Sequence, residues 1–206
     1  MHRRAFVTGS AALALTGCTT PASIYASDEA VRAVAFSSKG PASLTLYTMR
    51  NTRSDSGAHT SLLIDASQRV MFDPAGSFGH ETIPERDDVL FGFSPRIEAY
   101  YASYHARLTF YVVAQKVDVS PDVAELALGL ALSNGAVPNA LCTRATSSLV
   151  SRLPGFESVG VTYFPNNMMD DFARLPGVET TVYRENDADD KSVAAAAIDA
   201  EIRAGQ

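Results

Sequence analysis

The chain has very little cysteine. Of 206 residues only two are Cys, and Cys142 is the one thiol beyond the first eighteen positions. No internal pair is left, so no intrachain disulfide is expected. Positive charge is also short: 17 Lys and Arg against 23 Asp and Glu give a net charge of −6. No Lys/Arg-rich stripe runs along the chain, so no nucleic-acid partner is expected. No apolar run is long enough to span a bilayer, and there are no internal repeats and no sign of a second core. Chemical motifs are missing too. His59, His80, His105 and Cys142 lack compact metal-ligand spacing, and no cofactor is expected. His80-Glu81 lacks the second histidine of a zinc-protease helix, and Ser147 lacks a Gly-x-Ser-x-Gly setting.

What is present fits one globular domain with tails: 46% hydrophobic and 19% charged residues, enough to build a single good core. The first residues read as an export leader. His2-Arg3-Arg4 is a short basic region, and a short, mostly apolar stretch then closes on Leu15-Thr16-Gly17-Cys18. That tetrad resembles the lipobox of bacterial lipoproteins. The resemblance implies cleavage after residue 17, lipid on Cys18 and a membrane anchor in the cell envelope. Thr19, not Asp, follows, which favours the outer membrane over the inner. Arg3-Arg4-Ala5-Phe6-Val7 also resembles the core of a twin-arginine signal, so Sec and Tat export both stay open.

Residues 18–42 read as the lipidated cysteine and a tether, with room for one short strand or helix. Residues 43–184 read as the folded domain, and 185–206 as an acidic, then alanine-rich tail. Within the domain, 44–49 alternates like a strand, and 58–64 and 69–73 form a hairpin around a turn at 65–68. On the first hairpin strand His59, Ser61 and Leu63 share one face, and Thr60, Leu62 and Ile64 the other. Residues 77–104 form a long polar-aromatic connection, suited to a binding surface or to packing over a sheet edge, with a short helix at 97–104. A strand is expected at 106–114. A helix follows from Pro121, capped by Ser120. Further on, 165–175 reads as a helix and 179–183 as a last strand.

The segment Pro138-Asn139-Ala140-Leu141-Cys142-Thr143-Arg144 reads as a loop entering a helix of about 140–152. Asn139 is the expected N-cap, which places Cys142 at the third helical position. Unpaired amides at a helix start favour an anion and ease ionisation of a thiol. The bland alternative is a buried thiol acting as a small apolar side chain. Thiol chemistry needs an imidazole and a group to orient it. His59 opens one hairpin strand and Asp73 closes its neighbour, so antiparallel pairing puts both at one end.

These stretches, Ala58-His59-Thr60-Ser61-Leu62-Leu63-Ile64, the return to Val70-Met71-Phe72-Asp73, and Asn139-Ala140-Leu141-Cys142-Thr143, resemble the circularly permuted branch of the papain-like NlpC/P60 superfamily. The resemblance covers about residues 43–183. It implies an α+β papain-like fold, an antiparallel sheet packed against a helix carrying the cysteine at its N-terminus. It also implies a cysteine hydrolase or acyltransferase acting on an amide, such as a peptidoglycan peptide, or on an ester. Carried over, Cys142 is the nucleophile, His59 the base and Asp73 the orienting residue, with His80 as the rival for the third role. Two departures stand out: many members have Asn directly before the cysteine where this chain has Leu141, and Asp is uncommon in the third position. The alternative from a different class is a non-catalytic envelope lipoprotein of the same fold, binding a partner or glycan through the 77–104 connection.

Overall fold

The computed structural model describes residues 25–204, with side chains up to residue 200. The stretch read as a leader (1–17) and Cys18 lie outside the described residues. The fold is α+β. Seven strands form one antiparallel sheet in the order β4-β5-β3-β2-β1-β6-β7, with β1 Ser43–Asn51, β2 Gly57–Asp65, β3 Arg69–Phe72, β4 Glu85–Arg86, β5 Val89–Leu90, β6 Phe110–Asp118 and β7 Glu179–Tyr183. Six helices cover it: α1 Asp28–Ala33, α2 Pro95–His105, α3 Pro121–Leu132, α4 Cys142–Val150, α5 Pro165–Ala173 and α6 Lys191–Ala204. Among the described residues no helix is long and apolar enough to cross a membrane.

The period-2 pattern of the central strands sorts their side chains into two cores. Leu44, Leu46, Leu62, Ile64, Val70 and Phe72 pack on one face against residues of α1, α3, α4 and α5. Tyr47, Met49, Leu63 and Met71 pack on the other, against α2 and α6. With helices on both faces, residues 43–49 of β1 are buried without interruption. The second core is held at its rim by an ionic knot. Arg69 donates to Asp65 at 3.1 Å, to the Phe93 carbonyl at 2.7 Å and to Glu98 at 2.6 Å, and Glu98 also accepts from Tyr47 Oη at 2.5 Å.

The hairpin forms as expected, with Leu62 opposite Phe72 and Asp65 opposite Arg69. The expected strand at 106–114 starts later, at Phe110, and runs on to Asp118. The reason is local. Helix α2 continues to His105, and Arg107 N then donates back to the Phe110 carbonyl, turning the chain before it can pair. The stretch read as a tether contributes α1 and the buried Val31, and Tyr25 bridges to Arg86. The stretch read as a tail carries α6, whose Ala194 and Ile198, one helical turn apart, bury against α2. The aromatic residues of the 77–104 connection turn mostly inward: Phe78, Phe93, Tyr100 and Tyr101 are all buried and ring-packed on one another. They fill the second core and leave little aromatic surface for a partner.

Candidate active site

The expected start of the cysteine helix is corrected by two features of the backbone. Ala140 has a left-handed φ of 67°, which a helix interior does not accept. Leu141 N donates to the Pro138 carbonyl at 3.2 Å, closing a turn instead. Helix α4 therefore begins at Cys142, at its first position rather than its third, and Leu141 stands at the N-cap in place of Asn139. Leucine offers no capping oxygen, and the first intrahelical bond is Ala145 N to the Leu141 carbonyl at 2.9 Å. The missing side-chain cap costs about 0.5–2 kcal/mol of helix stability. In return the amides of the first turn beside Cys142 are left open to an incoming anion.

The opposite side of the site is built by the hairpin. Strand β3 ends at Phe72, so the first residues of β2 run on without a β3 partner and the α4 N-terminus meets them there. His59 Nε2 and Asp73 Oδ1 lie 2.6 Å apart. The His59 and Cys142 side chains are near enough to shift one another's ionisation, each favouring the charged form of the other. With Nε2 committed to Asp73, Nδ1 is the ring atom that serves the thiol. Asp73 is fully enclosed, and its Oδ1 also accepts from Tyr101 Oη at 2.9 Å, which is 2.7 Å from Ser61 Oγ. The three residues expected from the sequence are thus brought together. His80 is not with them: it pairs with Asp199 of α6 at 2.8 Å and with Thr82 at 2.7 Å. Cys18 belongs to the residues that are not described.

Electrostatics follow from these contacts. Burial pushes the Cys142 thiol up, but the His59 hydrogen bond and charge, the Thr60 amide and the Thr143 hydroxyl outweigh it and bring the thiol down to about 7. Burial pushes His59 down, but Asp73 and the Cys142 thiolate outweigh it and raise the imidazole to about 10. Burial alone would keep Asp73 protonated; the His59 cation and the Tyr101 hydroxyl hold it below the usual carboxylate range. Between about 7 and 10 the pair is a thiolate and an imidazolium.

Several contributors carried no signal in the sequence. Thr60 donates its hydroxyl to Thr143 Oγ1 at 3.2 Å, which frees the Thr143 proton for Cys142 Sγ at 3.8 Å. Tyr101 and His105 sit one turn apart on α2, a spacing that could have flagged them once the helix was known to extend to His105. The His105 ring is nearly parallel to that of His59, with centroids 6.4 Å apart. Its Nδ1 donates to the Tyr101 carbonyl at 2.9 Å, and burial lowers it to about 4, so it stays neutral beside the charged His59.

Gly76 is the remaining support. Its amide donates to the Asp73 carbonyl at 3.0 Å, and a Cβ on it would overlap the Asp73 carboxylate. Gly76→Ala is therefore expected to push Asp73 off His59. Overpacking of this kind costs about 1–3 kcal/mol, and a misplacement near 1 Å costs about 100-fold in turnover. Gly79→Ala, with no atom within 4 Å of its Cβ, is the matched control. Thermal unfolding and ester turnover measured on both variants check this; equal behaviour of the two would contradict it.

Compared with known proteins, the chain matches no family model, no curated protein and no solved structure.

Proposed function

We propose that this protein is a cysteine hydrolase of the bacterial cell envelope, anchored by lipid on Cys18 and cleaving an amide or ester bond. The observation that carries the reading is one set of interacting groups: the Cys142 thiol at an uncapped helix start, electrostatically coupled to His59, which is held at 2.6 Å by the buried carboxylate of Asp73. The order hairpin, then cysteine helix, supports kinship with the permuted NlpC/P60 proteins. The leader supports an envelope location, and a peptidoglycan peptide is the substrate that both suggest.

The chemistry is as follows. The Cys142 thiolate attacks the substrate carbonyl carbon. The oxyanion accepts from the open amides at the start of α4. As the bond to the leaving nitrogen or oxygen breaks, His59 Nδ1–H protonates that atom. A thioester on Cys142 remains. Neutral His59 then takes a proton from water, hydroxide adds to the thioester, and the carboxylic acid leaves as the thiolate reforms. Asp73 stays ionised throughout and stabilises the imidazolium.

The test is to trap the thioester. Incubation with 4-nitrophenyl acetate and acid quenching should place one acetyl group on the peptide containing Cys142. Cys142→Ala should carry none and lose turnover. Equal steady-state hydrolysis by wild type and Cys142→Ala would sink the reading.

A further inference from the structure

A cavity of about 400 Å³ opens beside His59, within the size range of small-molecule sites. Its walls include the apolar Met49, Ala58, Ala75 and Phe110 and the cationic Arg107 and Lys191. His59 and His105 line it, whereas Cys142 does not. That asymmetry has a chemical consequence. In thiol catalysis the acyl carbon bonds to sulfur, and the departing atom takes its proton from the imidazole. A cavity lined by the imidazole and not by the cysteine is placed to receive whatever is attached to the departing atom.

The polar lining is unequally neutralised. Arg107 is 4% exposed; it donates to Asp187 at 3.2 Å and lies 3.7 Å from Glu185, but its Nε is buried with no partner. Asp189, the carboxylate among the lining residues, accepts from the Thr109 amide at 2.9 Å and hydroxyl at 2.5 Å. Lys191 Nζ donates to Ser77 Oγ at 3.0 Å and stands 4.5 Å over the Tyr104 ring. Among the described residues no carboxylate pairs with it. A hydroxyl and a ring face leave the ammonium with donor capacity and uncompensated charge.

We propose that this cavity is the leaving-group subsite, and that it selects an amine or alcohol with an apolar body and an anionic end, such as a carboxylate held by Lys191. The inference rests on the cysteine-hydrolase reading above and names the substrate class for it.

Two acetyl esters separate the possibilities, one of 4-propylphenol and one of 3-(4-hydroxyphenyl)propanoate. They share the acyl group and the phenol and differ by a terminal methyl against a carboxylate. Wild type should hydrolyse the anionic ester with a kcat/KM about threefold higher, the scale of one exposed ion pair with matched packing. Lys191→Met should bring the ratio close to one, Lys191→Glu should invert it, and Lys191→Arg should keep it. In parallel, the two free phenols are titrated into Cys142→Ala by calorimetry, where the carboxylate should again bind about threefold tighter. Hydrolysis of both esters at equal rates, or a ratio indifferent to Lys191, would overturn the subsite. Selective binding of the carboxylate without any hydrolysis would support an anion site at Lys191 and overturn the hydrolase reading, and with it the leaving-group role. Neither hydrolysis nor selective binding would overturn both.

Discussion

Asp73→Asn is expected to reduce turnover by about 1,000- to 10,000-fold with the fold retained, the scale seen when a triad carboxylate is replaced by its amide. The substitution keeps the volume and an oxygen for Tyr101 to donate to, so packing around it persists. What disappears is the buried negative charge 2.6 Å from His59 Nε2. Burial alone lowers the imidazole, and Asp73 is the main group that reverses this. Without it His59 stays neutral, and the Cys142 thiol loses the cation that offsets its own burial. The Asn amide also donates to Nε2 as readily as it accepts. In that tautomer Nδ1 carries the proton and cannot accept one from the thiol. Stability carries the same signature. His59 is raised in the folded state, so its contribution is full below about 6.5 and is lost as pH rises through about 10. Asp73 is lowered, so its contribution is lost as pH falls through its folded value. Wild type should therefore exceed Asp73→Asn in thermal stability by the most at neutral pH, with the gap closing in strong acid and above about 10.

His59→Ala is expected to reduce ester turnover by about 100- to 10,000-fold, the usual range for a positioned general acid–base. Three roles fail together: partner of the thiolate, acid to the leaving atom, and base to the attacking water. The strand itself should hold. His59 sits near the start of β2, and the register of β2 against β1 and β3 is fixed by Leu62, Leu63 and Ile64 on both faces. Removing the ring, however, leaves Asp73 buried without its cation, so burial then raises that carboxyl. Loss of turnover in a variant that stays folded at the assay pH, with the far-UV circular dichroism of wild type, separates the catalytic effect from the structural one.

The hairpin and its site were legible because period-2 alternation fixes side-chain faces. His59 and Ser61 had to share a face, and the short turn had to return Asp73 to the same end. The expected helix start was two positions too early because Asn139 is a good capping residue by type. The left-handed Ala140 and the tertiary bond from Val137 N to Asp88 Oδ2 at 2.7 Å overrode that local preference. Tyr101 and Thr60 were illegible for a different reason. Each acts through a contact made only once distant segments have docked, 28 residues from Asp73 for Tyr101 and 83 residues from Thr143 for Thr60. The inward aromatics of residues 77–104 could equally have faced outward, since that stretch has no period of its own to assign a face. His80 was an attractive third residue by proximity in sequence. The loop instead carries it to α6, a helix whose alanine-rich composition gave no hint that it would bury Ala194 and Ile198.

The account stands on one charged pair, the Cys142 thiolate and the His59 imidazolium. The rate of Cys142 alkylation by a neutral haloacetamide, followed across pH in wild type and in His59→Ala, measures that pair directly. The account predicts a wild-type rate that rises with a midpoint near 7, and a midpoint in His59→Ala displaced above the ordinary thiol value of 9.0. A wild-type midpoint at or above 9, unchanged by removal of His59, would contradict it.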